Sequence, residues 1–298
     1  MLVAGGESLV HGSTRLARRL QMPAYLIGLT VVAFGTSVPE LFISLTASLQ
    51  GHPDIMIGNV IGSNIANVGL IMGSCALLAP LHMNLKEVWT ELLVVIAASV
   101  FLILCSGYGV FPRIVGIMFI ITLVGYTYLT YANHNNGLPR DKEKPQRGSS
   151  RYAHLSILLF IVAGLILLAF GATVFIQGAV SVARFFGISE LVIGLTLAAV
   201  GTSLPELAAS IAALRQGETA LLVGNIIGSN MFNLLMVLGL TGLIKPFAIK
   251  QELLQRDLPV MFAFTVIIIP ILLRNGRTKR WHGVLLLCAY IGYCASLL

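Results

Sequence analysis

Two glutamates interrupt otherwise apolar sequence, Glu40 in GTSVPEL (35–41) and Glu206 in GTSLPEL (201–207). An acidic residue inside a membrane span costs several kcal/mol unless it is paired, hydrated or holding a cation. Its recurrence at the same place in two copies of one motif argues against a carboxyl kept protonated for packing. Pro39 and Pro205 carry no amide hydrogen, so the carbonyls of Gly35 and Gly201 are expected to lose their helical partners and become available to an ion. Thr36, Ser37, Thr202 and Ser203 add hydroxyl oxygens in the same turn. A second motif, GNVIGSNIAN (58–67) and GNIIGSNMFN (224–233), brings amides into a further apolar segment of each half. On a helix Ser63, Asn64 and Asn67 line one groove, as do Ser229, Asn230 and Asn233. Tight helix packing explains Gly58, Gly62, Gly224 and Gly228 equally well. It does not explain the asparagines, which include Asn59 and Asn225. All the side-chain donors are oxygens, which suits hard cations such as Ca²⁺ and Na⁺. No His or Cys falls within the motifs, and Ile65 stands where the other copy has Met231, which disfavours soft metals.

The elements that position these residues follow from an internal repeat. Residues 28–73 align on residues 194–239 without a gap at a constant offset of 166, with about half the positions identical. The chain of 298 residues has a mean hydropathy of +0.90, with 57% hydrophobic and 10% charged residues, which places it in lipid. Apolar segments fall near 1–20, 24–49, 55–80, 88–107, 112–132, 153–183, 188–214, 219–244, 252–273 and 281–298. They predict an all-α membrane protein of ten transmembrane helices. Residues 134–152 have the Pro, Gly and charge content of a linker and divide the chain into a first five-helix repeat (1–133) and a second (153–298). With five helices per half, the second copy enters the membrane from the opposite side, so the repeats are inverted, an architecture expected of secondary transporters.

The net charge of +7 fits membrane orientation better than a nucleic-acid partner, because no basic patch is interleaved with exposed aromatics on a soluble module. Assigned to alternate sides, 14 of the 19 Lys and Arg residues share the side of the linker. That side is then cytoplasmic, and both termini face out. Cys75, Cys105, Cys288 and Cys294 lie in apolar runs without CxxC spacing and are expected to pack. His11, His82, His134, His154 and His282 are expected near helix ends, and His52 and Asp54 in a short outer loop. No cleavable signal peptide is expected. The offset sets Met1 opposite Leu167, although the second-half helix continues upstream from Ile166 to His154. About a dozen residues are therefore expected to be missing from the first helix, whose apolar part before Arg15 is short for a span.

At the paired motifs the chain resembles the calcium/cation antiporter superfamily, in particular the prokaryotic sodium/calcium exchangers. The resemblance covers nearly the whole chain and implies exchange of Ca²⁺ for Na⁺ by alternating access, with helices 1 and 6 sliding over a core of helices 2, 3, 7 and 8. It implies that Glu40 and Glu206 are the principal calcium ligands and also serve sodium. Thr36, Ser37, Thr202 and Ser203 would supply hydroxyl and backbone oxygens, Ala33 and Ala199 carbonyls, Ser63 and Ser229 sodium ligands, and Asn67 and Asn233 the rest of the centre. Some family members, including potassium-dependent ones, have Asp where Asn233 stands, so Asn argues against potassium dependence. No cofactor is implied; the ions are substrates, the bilayer is the surroundings, and no protein partner can be named. A Ca²⁺/H⁺ antiporter is the alternative, because two protons also neutralise two carboxylates; the hydroxyl-rich positions favour sodium. An intramembrane hydrolase would need an asymmetric acid/base arrangement that the duplication does not provide. A channel fits two inverted repeats less well than an alternating site does.

Overall fold

The structure, a computed structural model, describes residues 1–82, 85–137, 151–187, 201–251, 253–273 and 276–297. Helix α1 (Leu2–Leu20) is followed by α2 (Ala24–Thr36) and α3 (Val38–Leu49), then α4 (Pro53–Leu78). Next come α5 (Leu85–Gly107), the short strand β1 (Val110–Phe111) and α6 (Arg113–Gly137). The second half contributes α7 (Arg151–Phe185), α8 (Leu204–Arg215), α9 (Thr219–Ile244), strand β2 (Phe247–Ala248), α10 (Leu253–Leu273) and α11 (Arg280–Ser296).

Among the described residues six helices are long and apolar enough to cross a membrane, namely α4, α5, α6, α7, α9 and α10. The pair α2 and α3, bent by 43°, makes a seventh if it is one span. The chain is therefore an integral membrane protein with several apolar spanning helices. The sequence predicts ten, and each of the ten segments holds helix. Helix α1 falls short because Glu7, Arg15, Arg18 and Arg19 dilute it, and α11 because it has 17 residues. Residues 188–200, the predicted lead-in to α8, lie outside the described residues, as does most of the predicted linker.

Burial sorts the helices into core and periphery. Helix α9 is buried along its whole apolar length. In contrast α6 and α7 expose Ile114, Ile121, Val124, Leu158, Ile166 and Phe170, the face expected of helices against lipid. Helices α1 and α7 pack antiparallel through glycines: a Cβ on Gly5 would stand 2.9 Å from the Leu168 amide nitrogen, and one on Gly164 2.6 Å from that of Leu9. Small residues allow this close backbone approach where water provides no driving force.

The 166-residue offset recurs in the packing. Phe111 pairs with Phe247 in the antiparallel β1–β2 ladder; at the other end of α5, His82 bridges Arg277 and the Thr278 amide donates to the Leu81 carbonyl at 2.9 Å. Gly116 meets Gly239 where α6 crosses α9, and Gly283 meets Gly73 where α11 crosses α4.

Cys75 and Cys105 are buried as expected, but Cys288 is exposed because its face of α11 is peripheral. His11 departs from the expected helix-end placement. It sits within α1 with its ring edge-on to Phe160, centroids 5.0 Å apart.

Candidate ion-binding site

The two GTS-PEL motifs fold alike. In the first half α2 ends at Thr36, and Ser37, with φ −85° and ψ 1°, precedes the new helix α3; in the second half Ser203, with φ −87° and ψ 5°, precedes α8 in the same way. Pro39 and Pro205 occupy the first turn of the new helices, where a missing N–H costs nothing. The sequence suggests a kink with carbonyls released upstream of the proline. The structure bends the chain by 43° between α2 and α3 and sets each proline in the first turn of the new helix, so that Glu40 and Glu206 fall in first turns, where the backbone dipole favours negative charge. The Ser37 amide still donates to the Ala33 carbonyl at 3.0 Å.

Both carboxylates are buried to 1% exposure or less, in a site that joins the two halves. The Ser37 hydroxyl donates to Glu206 Oε1 at 3.5 Å, and Thr36 Oγ1 to Asn225 Oδ1 at 3.3 Å. Ser63 Oγ lies 3.4 Å from Thr202 Oγ1, and Asn67 Nδ2 donates to Asn230 Oδ1 at 3.0 Å. Two amides brace the helices that carry the acids. Asn59 donates to Ser44 Oγ (2.9 Å) and the Glu40 carbonyl (3.3 Å), and Asn225 to Ser210 Oγ (3.1 Å) and the Glu206 carbonyl (3.5 Å). Asn67 opens a π-helical stretch in α4 (Asn67–Met72), and Asn233 lies in the matching stretch of α9 (Phe232–Leu238). Such wide turns are common at functional sites.

What remains around the acids is a set of buried oxygens to which nothing donates. Among the described residues, both carboxylate oxygens of Glu40, Glu206 Oε2, Asn64 Oδ1, Asn67 Oδ1, Ser203 Oγ, Ser229 Oγ and Asn233 Oδ1 have no hydrogen-bond partner, and Asn233 Nδ2 has none either. Buried acceptors without donors are costly, and among the described residues no Lys or Arg pairs with either glutamate. A hard cation relieves that cost. Of the residues singled out from sequence, Ala199 lies outside the described residues and the others lie on the helices that meet here. Sequence reasoning passed over Ser44 and Ser210, although they too are identical residues at the 166 offset.

The sodium/calcium exchanger protein family profile matches residues 1–132 and 156–298. The chain belongs to this family. It is similar to the sodium/calcium exchanger MaX1 of Methanosarcina acetivorans, 31% identical over 99% of this chain and 95% of that protein. The inner membrane protein YrbG of Escherichia coli is 35% identical over 100% of this chain and 93% of its own length. Among solved structures, the sodium-calcium exchanger NCX_Mj soaked with 10 mM Na⁺ and zero Ca²⁺ superimposes with a TM-score of 0.84, at 33% identity, covering 100% of this chain and 95% of that one.

Proposed function

We propose that this chain is a secondary antiporter that exchanges Ca²⁺ for Na⁺ across the membrane by alternating access. The observation that carries this reading is the set of donorless oxygens around two fully buried glutamates, one from each half. Two carboxylates give the bare site about −2, which one Ca²⁺ or two Na⁺ neutralise, so the bare site crosses the bilayer poorly and leak is suppressed. Glu40 and Glu206 are the calcium ligands and also serve sodium. Thr36, Ser37, Thr202, Ser203, Ser63, Ser229, Asn67, Asn233 and the carbonyls of Ala33 and Ala199 complete the ion centre. A third Na⁺ per cycle makes the exchange electrogenic. MaX1 and NCX_Mj, both named as sodium/calcium exchangers, support the ion pair.

The architecture in this reading is ten transmembrane helices in two inverted repeats, 1–133 and 153–298, joined by a cytoplasmic linker at 134–152. The contacts at 166-residue offsets support it. So do the pairings Asp54–Lys250 (2.8 Å) and Arg18–Glu218 (3.9 Å), which join chain segments that the charge rule puts on the same side. The glycine-packed α1–α7 pair is suited to slide as a unit over the ion-carrying helices. Both termini then face out, and the membrane is the prokaryotic cell membrane.

The experiment is uptake of radiolabelled calcium into proteoliposomes loaded with sodium, against vesicles given a proton gradient alone. Sodium-driven uptake is expected. Uptake driven only by protons assigns the Ca²⁺/H⁺ alternative, and uptake with neither gradient overturns antiport.

A further inference from the structure

A second pair of intramembrane carboxylates is related by the same offset and lies outside the ion site described above. Glu91 on α5 and Asp257 on α10 are 166 residues apart and buried to 5% and 4% exposure. Each is bonded by a tyrosine from the last helix of its own half: Tyr126 of α6 donates to Glu91 Oε1, and Tyr293 of α11 to Asp257 Oδ1 at 3.0 Å. Tyr126 is one position off the mate of Tyr293, so the helices converge on the same contact from slightly different registers.

The two carboxylates differ in how their charge is met. Asp257 is held by Arg256, with Nε at 3.0 Å from Oδ1 and Nη2 at 3.3 Å from Oδ2. At the matching place before Glu91 the chain has Thr90, and among the described residues no ion pair reaches Glu91. Glu91 Oε2 is buried without a hydrogen-bond partner. The hydroxyl of Tyr25, itself 7% exposed, faces Glu91 and Tyr126 from the start of α2, with Glu91 as its hydrogen-bonding neighbour at long range and no partner at ordinary hydrogen-bond distance among the described residues. Among the described residues, one side of the molecule therefore supplies its own cation and the other does not.

We infer that Glu91, Tyr25 and Tyr126 form a second cation site that holds one monovalent alkali ion, in the position that the Arg256 guanidinium fills in the other half. The charge fits a single positive charge, and carboxylate and phenol oxygens suit Na⁺ or K⁺. Ca²⁺ takes six to eight oxygens and usually several carboxylates; among the described residues no group of three acidic, His or Cys side chains gathers here. The ion ties the start of α2 to α5 and α6, and α2 is the helix that ends at Thr36 and Ser37. This inference does not depend on what the Glu40–Glu206 site transports.

The test is thermal unfolding of the full chain in detergent, titrated with NaCl or KCl against choline chloride at constant ionic strength. It is run first with Glu40→Gln and Glu206→Gln combined, so that the central site contributes no carboxylate. A rise in midpoint of roughly 2–4 °C as the alkali ion saturates is expected, and it should vanish on adding Glu91→Gln or Tyr25→Phe. Thr90→Arg, which gives the first half the guanidinium of the second, should remove the alkali dependence while keeping the midpoint high without salt. If the double variant does not fold, the same titration on the wild-type chain and on Thr90→Arg decides the matter. The slope of stability against the logarithm of sodium concentration should fall by one ion in the variant. No alkali dependence, a dependence that survives Glu91→Gln, or a midpoint that follows pH but not alkali ion would overturn the site.

Discussion

Glu40 and Glu206 stand out in the sequence because a charge in an apolar span needs a reason, and the structure surrounds them with oxygens that lack donors. Replacing either by Gln keeps the volume and removes one charge. A charged hydrogen-bonding or ligating contact in a desolvated site is worth roughly 1.5–3 kcal/mol, so half-saturation for Ca²⁺ should rise at least about tenfold in each variant, with flux lost at low calcium. Unchanged calcium dependence in reconstituted Glu206→Gln would remove this residue from the site. Ser44→Ala and Ser210→Ala serve as controls of position. Each serine hydroxyl accepts from the amide that braces the acid-bearing helix, at 2.9 and 3.1 Å. The expected loss is about 1 kcal/mol of stability, seen as a lower unfolding midpoint, with a smaller change in calcium half-saturation than either Gln variant. The residues illegible in the sequence are Glu91 and Asp257. They lie outside the stretch where the two copies keep sequence identity, and each is completed by a tyrosine on another helix, which no local spacing reveals.

At the scale of elements, helix positions are readable from the apolar runs and tight packing from the glycines of the asparagine motif, whereas the crossing of α2 with α9 is seen only in the structure. A Cβ on Gly224 would stand 2.2 Å from the Tyr25 carbonyl oxygen, and one on Gly228 2.4 Å from that of Leu29. Both neighbours are backbone and cannot turn aside. Gly224→Ala is therefore expected to push α2 off α9 and cost about 1–3 kcal/mol, as overpacking of a close-packed core does. At Gly125 on α6 a Cβ would meet no described atom within 4 Å, and Gly125→Ala should raise stability by up to about 1 kcal/mol through helix propensity. Unfolding midpoints measured side by side should move in opposite directions. A Gly224→Ala protein as stable as the wild type would mean that the crossing is looser than these distances. The helix break at Ser37 is less legible. Proline reads as a kink in the middle of an apolar run, and only the backbone reveals that a new helix begins one residue before it.

For the whole molecule, sidedness links the charge pattern to the direction in which the ion site opens. The charge rule assigns the linker to the cytoplasmic side, and the packing makes that assignment testable at a second, independent point. Helix α5 has 23 residues, about 34 Å at 1.5 Å per residue, which is enough to cross the hydrocarbon core once. Its first end adjoins the His82–Arg277 bridge, and its second leads into β1 and the β2 ladder. In the proposed ten-helix arrangement the two small pairings lie on opposite faces of the membrane. Arg277, Lys279 and Arg280 are on the basic side, whereas Tyr108, next to β1, is 89% exposed on the other. With the native cysteines replaced by Ala, Tyr108→Cys should react with an impermeant thiol reagent added outside intact cells, and Ser149→Cys in the linker only after the cytoplasmic face is opened. Reaction of both from the same side would break the five-and-five division and with it the inversion of the repeats. A clean exchange of sides would keep the inversion and reverse the orientation. It would then put the Glu91 site on the outer face and the Arg256–Asp257 pair on the inner one.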